Sequence, residues 1–390
     1  MIINKMDNKG RGITYYNNKI VFVNNALPGE DVEIKIILDK KKYSIADVIK
    51  YNKKSKLRIK GLCKYYNVCG GCQLQHLSYQ DQINYKKNYL NELFSQINIK
   101  IKEIVHSNQF NYRNKITLKC EKKIGFYKLN SNKIINIDNC LIANNRINAK
   151  LKMLHELINT NNIDEIIIKT FNEKTMLVLN GKEINTNLNN ILDLFDTIYI
   201  NDNLIKGEKL IATIDNIKYY VAPNSFFQVN LNITEKMFNY IKKICNNSNY
   251  VLDLYCGCGS ISLFIASKVK FVYGVEINKQ SIKDALENQK INKIENAFFK
   301  CDTTNNININ NKFDTLIVDP PRSGLSNIVI NKILNSKIKK IIYVSCDPIT
   351  LNRDICLLKE KYDILDICVF DMFPNTYHVE SVILLQKKDK

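Results

Sequence analysis

Cys346 ends an apolar run, IIYVSCDP (341–348), in which branched and aromatic residues give way to Ser345, Cys346, Asp347 and Pro348. A core cysteine needs no such setting; a nucleophile needs an exposed strand end and an electrophile delivered to it. Two other strand ends carry carboxylates. Asp319-Pro320-Pro321-Arg322 is made rigid by two prolines, which fix the backbone and remove two amide donors. FPNTYHVESVILL (373–385) sets His378 and Glu380 just before another apolar run. Acidic Pro-Pro strand ends also hold amino groups in nitrogen-methylating enzymes, but nitrogen chemistry needs no thiol. A thiol with a base suits a pyrimidine. Thiolate addition at C6 makes the otherwise weakly nucleophilic C5 enolate-like, so that it attacks an activated methyl group; a base then removes the C5 proton and the sulfur leaves. Cys346 is the thiol, and Glu380 is most simply the base. His378 stays a rival, because residues two apart share a face in an extended segment.

The stretch YVLDLYCGCGSISLFIA (250–266) reads as strand, glycine turn and helix start, and FVYGVEIN (271–278) as a second strand ending near Glu276. A carboxylate there can accept both hydroxyls of a ribose, so a nucleoside-containing cofactor follows. A dinucleotide is the competing choice, although the third position of G-x-G-x-x-G is Ser262. Three more thiols, Cys63, Cys69 and Cys72, stand in CKYYNVCGGCQLQH (63–76), where Gly70 and Gly71 are expected to fold the backbone tightly enough for sulfurs to converge. They need a fourth ligand. Cys140 in IDNCLIAN (137–144) is the best candidate, since Cys120 lies inside an alternating strand, ITLKCEKK (116–123). The C-x5-C-x2-C spacing with a distant cysteine fits an iron–sulfur cluster better than a four-cysteine zinc site.

The elements that must position these groups fall into three parts, 1–53, 54–218 and 219–390. The last alternates strands and helices, which gives a doubly wound α/β sheet with ligands at the carboxyl ends of its strands. The middle part alternates strands and helices without a catalytic motif, as an α+β domain; its YRNK (112–115) is basic enough for phosphate or for a surface ion pair. QINYKKNYLNELFSQI (82–97) has helical spacing, with Ile83, Tyr89, Leu90, Leu93, Phe94 and Ile97 as its core face. From Gly10 to Tyr51 short alternating runs punctuated by Asn-Asn and Pro-Gly predict a small β-barrel. Its basic residues (Lys9, Arg11, Lys19, Lys40, Lys41, Lys42) and aromatics (Tyr15, Tyr16, Phe22, Tyr43) suit phosphate contact and base stacking if they face outward.

The 390 residues carry 57 Lys and Arg against 38 Asp and Glu, a balance of +19 that favours a polyanionic partner. Coding bias toward Lys, Asn and Ile, as in TTNNININNK (303–312), is the plain alternative. MIINKMDNKGRG lacks the apolar run of a signal peptide, and no stretch is long enough to cross a bilayer, so a cytoplasmic protein without a membrane role is expected. In that compartment twelve cysteines point to metal, catalysis and core packing rather than disulfides.

SFFQVN (225–230), DLYCGCGS (253–260), GVEI, DPPRSGL, YVSCDP and DMFPNTYHVE occur in that order. The chain resembles, over nearly its whole length, the S-adenosylmethionine-dependent RNA uracil-C5 methyltransferases, which make 5-methyluridine. The resemblance implies a Rossmann-like class I methyltransferase domain, an OB-like TRAM barrel that binds RNA, and a [4Fe–4S] cluster on Cys63, Cys69, Cys72 and Cys140. It makes Cys346 the nucleophile and Glu380 rather than His378 the proton acceptor. Gln228, Tyr255, Ser260, Glu276, Asp302 and Asp319 match positions that contact S-adenosylmethionine; Ser260 stands where Asn or Thr is common. Barrel and cluster together favour large-subunit (23S) rRNA as substrate, with tRNA the alternative, and imply no obligate protein partner. The target uracil has to leave its stack to reach the thiol. Readings from other classes are a non-catalytic RNA-binding or assembly protein and a nicotinamide oxidoreductase.

Overall fold

The computed structural model describes residues 1–121, 123–158, 160–184, 189–309 and 312–389. Residues 310 and 311 of the asparagine-rich run lie outside them.

The N-terminal residues form the expected barrel. Strands Lys5–Met6, Gly12–Tyr16, Lys19–Asn24, Tyr43–Lys53 and Asp31–Asp39 pair in that order, and the pairing of Ile2 with Asp31 brings the two edges together. Asn17 and Asn18 both take positive φ, the two-residue turn that matches the twist of a hairpin. Ile3, Val21, Val23, Ala26, Val32 and Ala46 fill the interior. Outside it, Tyr15 and Tyr16 are exposed, while Phe22 meets Tyr43 edge-on beneath the Arg11 guanidinium.

The central part is a mixed sheet of strands Asn203–Lys206, Thr197–Ile200, Lys174–Gly181, Ile163–Phe171, Lys115–Cys120, Ile124–Tyr127 and Ile134–Asn136 in spatial order. Helix Asn145–Leu157 buries Ile147, Leu151 and Leu154 against it, the i, i+4, i+7 stripe of one helix face.

The C-terminal sheet runs in the order Ala297–Cys301, Phe271–Glu276, Tyr250–Leu254, Thr315–Val318, Lys340–Ser345, Glu380–Lys387, Tyr362–Phe370 and Ile104–Val105. The first five are parallel and Glu380–Lys387 is inserted antiparallel. Parallel strands covered on both faces must be apolar throughout, as TLIV and KIIYVS are. One face packs Val251, Val272, Ile317, Ile342 and Val382 under helix Leu231–Ile244, the other Leu252, Val275, Leu316, Ile341 and Tyr343. Each fully buried Val, Ile or Leu contributes about 1.5–3 kcal/mol.

Two segments from earlier in the chain join this core. Helix Tyr79–Leu93 sends Ile83 and Leu90 into the second face, and hairpin Leu210–Ile214/Ile217–Val221 sends Leu210, Ala212, Tyr219 and Val221 into the first. The predicted apolar face of the helix is therefore core, in a sheet whose main strands begin some 150 residues later. No helix among the described residues is long and apolar enough to cross a membrane.

Candidate active site

The carboxyl ends of five strands meet at one edge, and most of the singled-out residues sit there. Val318 ends one strand and is followed by Asp319-Pro320-Pro321-Arg322; Ser345 ends its neighbour and is followed by Cys346. The antiparallel neighbour starts at Glu380 on the same edge. Cys346 and Asp319 are half-buried and Glu380 is buried, 5% exposed. Burial, then Glu380 and Asp319, push the Cys346 thiol up to about 11 against the opposing Arg322 guanidinium. Burial also raises Glu380 well above the carboxylate range, reinforced by Asp319 and countered by Arg322. His378 faces Arg322 as well, and burial, helped by Arg322, Lys86 and Arg113, lowers it to about 4. A thiol, two carboxyls and one cation thus share a single site.

Pro348 does not stop the chain as its position after a strand suggests; it opens helix Pro348–Leu358. Proline suits the first helical position, where the amide is unpaired anyway. Asp347 caps that helix by accepting from the amides of Ile349 and Thr350 at 3.0 and 2.9 Å. Cys346 is thereby held between a strand end and a capped helix start.

The glycine turn lies at the same edge, two strands away. Tyr255, Gly257 and Gly259 all take positive φ, so the chain reverses within five residues before the helix that begins at Ser260. Glu276 fixes the turn: its two carboxylate oxygens accept from the amides of Gly257 at 3.2 Å and Asn278 at 2.8 Å. Each oxygen keeps a further lone pair for a ligand hydroxyl. Beneath the turn Asp253 is buried, accepts from the Ser262 hydroxyl at 2.5 Å and is pushed up to about 7 by burial; its Oδ1 has no partner among the described residues. The Thr304 hydroxyl donates to Tyr255 Oη at 3.1 Å. Asp302 follows the next strand end, where Lys300 at 2.8 Å holds its carboxyl below the usual range. Gln228 lies not at a strand end but in the segment leading to helix Leu231–Ile244. Its carbonyl accepts from Asn114 Nδ2 at 3.0 Å, and Ser225 donates to Asp284 at 2.7 Å, on the helix that follows Glu276.

Cys63, Cys69, Cys72 and Cys140 line one cavity of about 400 Å³, together with Arg113, Lys115, Phe226 and Phe227. Cys120 does not line it. Gly70 and Gly71 are not what bends the loop: neither takes positive φ, and a Cβ on either would meet ordinary contacts. The left-handed residue there is Asn67. The Cys69 sulfur receives the Gly71 amide at 3.4 Å; the Gln75 side chain accepts from the Cys63 amide at 3.1 Å, and the Ala143 amide donates to the Cys140 carbonyl at 2.9 Å. Among the described residues no group of His, Cys, Asp or Glu is drawn together closely enough to hold a metal ion; the four thiols surround a space instead.

Sequence reasoning passed over Arg322, Asp253 and Lys169. The first was legible in DPPR as a cation beside a carboxylate. Lys169 gave no signal, lying in an apolar strand, yet it is buried and donates to the carbonyls of Ala222 and Ser225 at 2.6 and 3.2 Å, just ahead of Gln228.

Residues 194–388 match the tRNA (uracil-5-)-methyltransferase family, and residues 2–49 match the TRAM domain. Uncharacterized RNA methyltransferases of Clostridium tetani and Aquifex aeolicus are 32% and 33% identical to the chain. These similarities cover 99% and 100% of it, and 95% and 98% of theirs. The crystal structure of the Pyrococcus abyssi tRNA (uracil-54, C5)-methyltransferase in complex with S-adenosyl-L-homocysteine superposes with a TM-score of 0.84 at 28% identity, over 99% of each chain.

Proposed function

The chain belongs to the RNA uracil-5-methyltransferase family, and we propose that it transfers a methyl group from S-adenosylmethionine to C5 of a specific uridine in RNA. The meeting of Cys346, Glu380 and Asp319 beside Arg322, on the edge that also carries the Glu276 turn, supports this reading. Cys346 forms a bond to C6, and C5 takes the methyl group as its bond to the sulfonium breaks. Glu380 then removes the C5 proton, and the bond from sulfur to C6 breaks to restore the ring double bond. Burial suits Glu380 to its task, since a carboxylate with a raised pKa is a stronger base; the raised Cys346 pKa leaves less thiolate at neutral pH, and the Arg322 guanidinium works against that rise. Glu276 is assigned to the ribose hydroxyls, and Gln228, Tyr255, Ser260, Asp302 and Asp319 to the rest of the methyl donor. His378, lowered to about 4, is a weak base and is not assigned the proton.

We read the chain as three parts, 1–53, 54–218 and 219–390, with helix Tyr79–Leu93 and hairpin Leu210–Val221 laid onto the third. In the middle part Cys63, Cys69, Cys72 and Cys140 would hold a [4Fe–4S] cluster. The four thiols line one cavity, and the C-x5-C-x2-C spacing with a distant cysteine suits a cluster better than the paired CxxC units of a four-cysteine zinc site. Bound there, the cluster would cross-link the 63–76 loop to the 137–144 segment.

Large-subunit rRNA is the substrate that the resemblance favours. The full-length likeness to the Pyrococcus enzyme favours tRNA as a second reading, because the barrel then does not separate the two classes. Mapping 5-methyluridine by mass spectrometry in RNA from a deletion strain tests the proposal. Loss of one mark from large-subunit rRNA is expected; loss of a tRNA mark would select the second reading, and loss of neither would refute the proposed activity.

A further inference from the structure

The loop Asp371–Val379 delivers Glu380 to the site, and Asn375 lies at its centre. Asn375 is 1% exposed, takes a φ of +68° and has every polar atom engaged. Its carbonyl accepts from the amides of Gln73 and Leu74, each at 3.0 Å. Its amide donates to Gln82 Oε1 at 2.9 Å; its side chain donates to the Gln109 carbonyl at 2.7 Å and accepts from Gln82 Nε2 at 3.2 Å. Gln73 directly follows Cys72, and its own side chain returns to the Gly70 carbonyl at 2.8 Å. The cysteine loop therefore bonds directly to the loop that carries the base.

We propose that Asn375 is a positioning residue, the joint through which the group held by the four cysteines fixes where Glu380 stands. This rests on the readings of the cavity and of Glu380 given above. A group bound by Cys69 and Cys72 immobilises the segment between them and the two amides that follow. Those amides hold the Asn375 carbonyl, and the turn closed by Thr376 onto the Phe373 carbonyl carries that constraint toward Glu380. No hydrogen bond among the described residues runs from this loop to the 253–260 turn, and its bond toward the Gln228 segment, from the Asn230 side chain to the Met372 carbonyl at 3.2 Å, is made ahead of the Phe373–Thr376 turn, so the route to the methyl donor does not pass through Asn375.

Two kinds of RNA separate the base from the nucleophile. With 5-fluorouridine the fluorine cannot leave as a proton does, so capture needs Cys346 and the methyl donor but no proton acceptor. With ordinary uridine, turnover needs both. Protein purified anaerobically is assayed for iron, for amide hydrogen exchange, for S-adenosylhomocysteine binding and with both RNAs, alongside Cys69→Ser, Cys140→Ser and Asn375→Gly. Glycine keeps the left-handed backbone and its bonds and deletes only the side-chain ones. The cysteine variants should lose iron and exchange the amides of Gln73, Leu74 and Asn375 at least about tenfold faster. Asn375→Gly should keep its iron. All three should lose about ten- to a hundredfold in turnover, with ordinary RNA accumulating as covalent adduct. Capture of 5-fluorouridine RNA and S-adenosylhomocysteine affinity should stay within about twofold.

Turnover and capture falling together, or neither falling, would overturn the joint. So would iron-free variants whose exchange at Gln73, Leu74 and Asn375 is that of the parent. If a cysteine variant fails to fold, exchange in the parent before and after oxidative removal of iron gives the same two outcomes. A parent protein that carries no metal and turns over normally would instead overturn the reading of the cavity, and the joint with it.

Discussion

Cys346 stands level with Glu380 across two antiparallel strand ends: Ser345 pairs with Ser381, and one residue further the thiol and the carboxyl come side by side. Each then has a separable task. Cys346→Ala should abolish both methylation and capture of 5-fluorouridine RNA, a loss of about 10⁴-fold or more, while S-adenosylhomocysteine still binds. Glu380→Gln should keep capture and stall on ordinary RNA as a covalent adduct, with turnover down about 10²–10⁴-fold. Denaturing gels and calorimetry distinguish the two variants. Parent-like turnover in Cys346→Ala would refute the mechanism.

The same burial sets the pH dependence. Attack requires the thiolate of Cys346, whose pKa is pushed up to about 11, and proton removal requires the carboxylate of Glu380, itself raised. Both groups must lose a proton, and both shifts are upward. kcat/KM for RNA should therefore rise with pH from the neutral range toward about 10, with neither group contributing a falling limb. Arg322 opposes both shifts. Arg322→Gln should move the rise to higher pH and cost about tenfold at pH 7.5, the effect of one pKa unit. A profile that falls between pH 7 and 9 would contradict the assignment.

Glu276 is pre-positioned by two backbone amides, at 2.8 and 3.2 Å, before any ligand arrives. Replacing it with alanine removes the hydroxyl acceptor and frees the turn at Gly257. S-adenosylhomocysteine affinity should fall about 10–100-fold, or 1.4–2.8 kcal/mol. Calorimetry reads the change directly, and unchanged affinity would remove Glu276 from the cofactor site. Binding of NAD to the parent protein would revive the dinucleotide reading.

What was legible in the sequence is what local chemistry writes into short runs. Cys346, Asp319 and Glu276 stand at the carboxyl ends of apolar parallel strands and Glu380 opens an antiparallel one, and a sheet so built collects all four at one edge. Gly257 and Gly259 read correctly because the turn needs their φ. Gly70 and Gly71 misled, since a neighbouring asparagine makes the left-handed step instead. Asn375 was illegible for a related reason: many of this chain's asparagines take positive φ, among them Asn17, Asn67, Asn98 and Asn130, so one more carries no mark. Helix Tyr79–Leu93 showed its apolar face but not its partner, because packing across nearly 300 residues, as in Gln82 with Asn375, leaves no periodic trace.

Lys86 and Asp371 test that long-range packing. They meet at 2.6 Å with side-chain exposures of 1% and 0%, and the Tyr79 hydroxyl donates to the second carboxylate oxygen at 2.9 Å. A buried pair is costly to break, because the remaining carboxylate keeps the Tyr79 hydroxyl but has neither water nor an opposite charge. Lys86→Met should therefore destabilise the protein by about 3–5 kcal/mol. Combining it with Asp371→Leu removes the stranded charge, and much of that stability should return in urea titrations. Turnover should not return with it, since Asp371 anchors the start of the loop that ends at Glu380, and leucine offers the Tyr79 hydroxyl no acceptor. If the double variant recovers stability and turnover together, the pair serves the fold alone, and the position of Glu380 is set elsewhere.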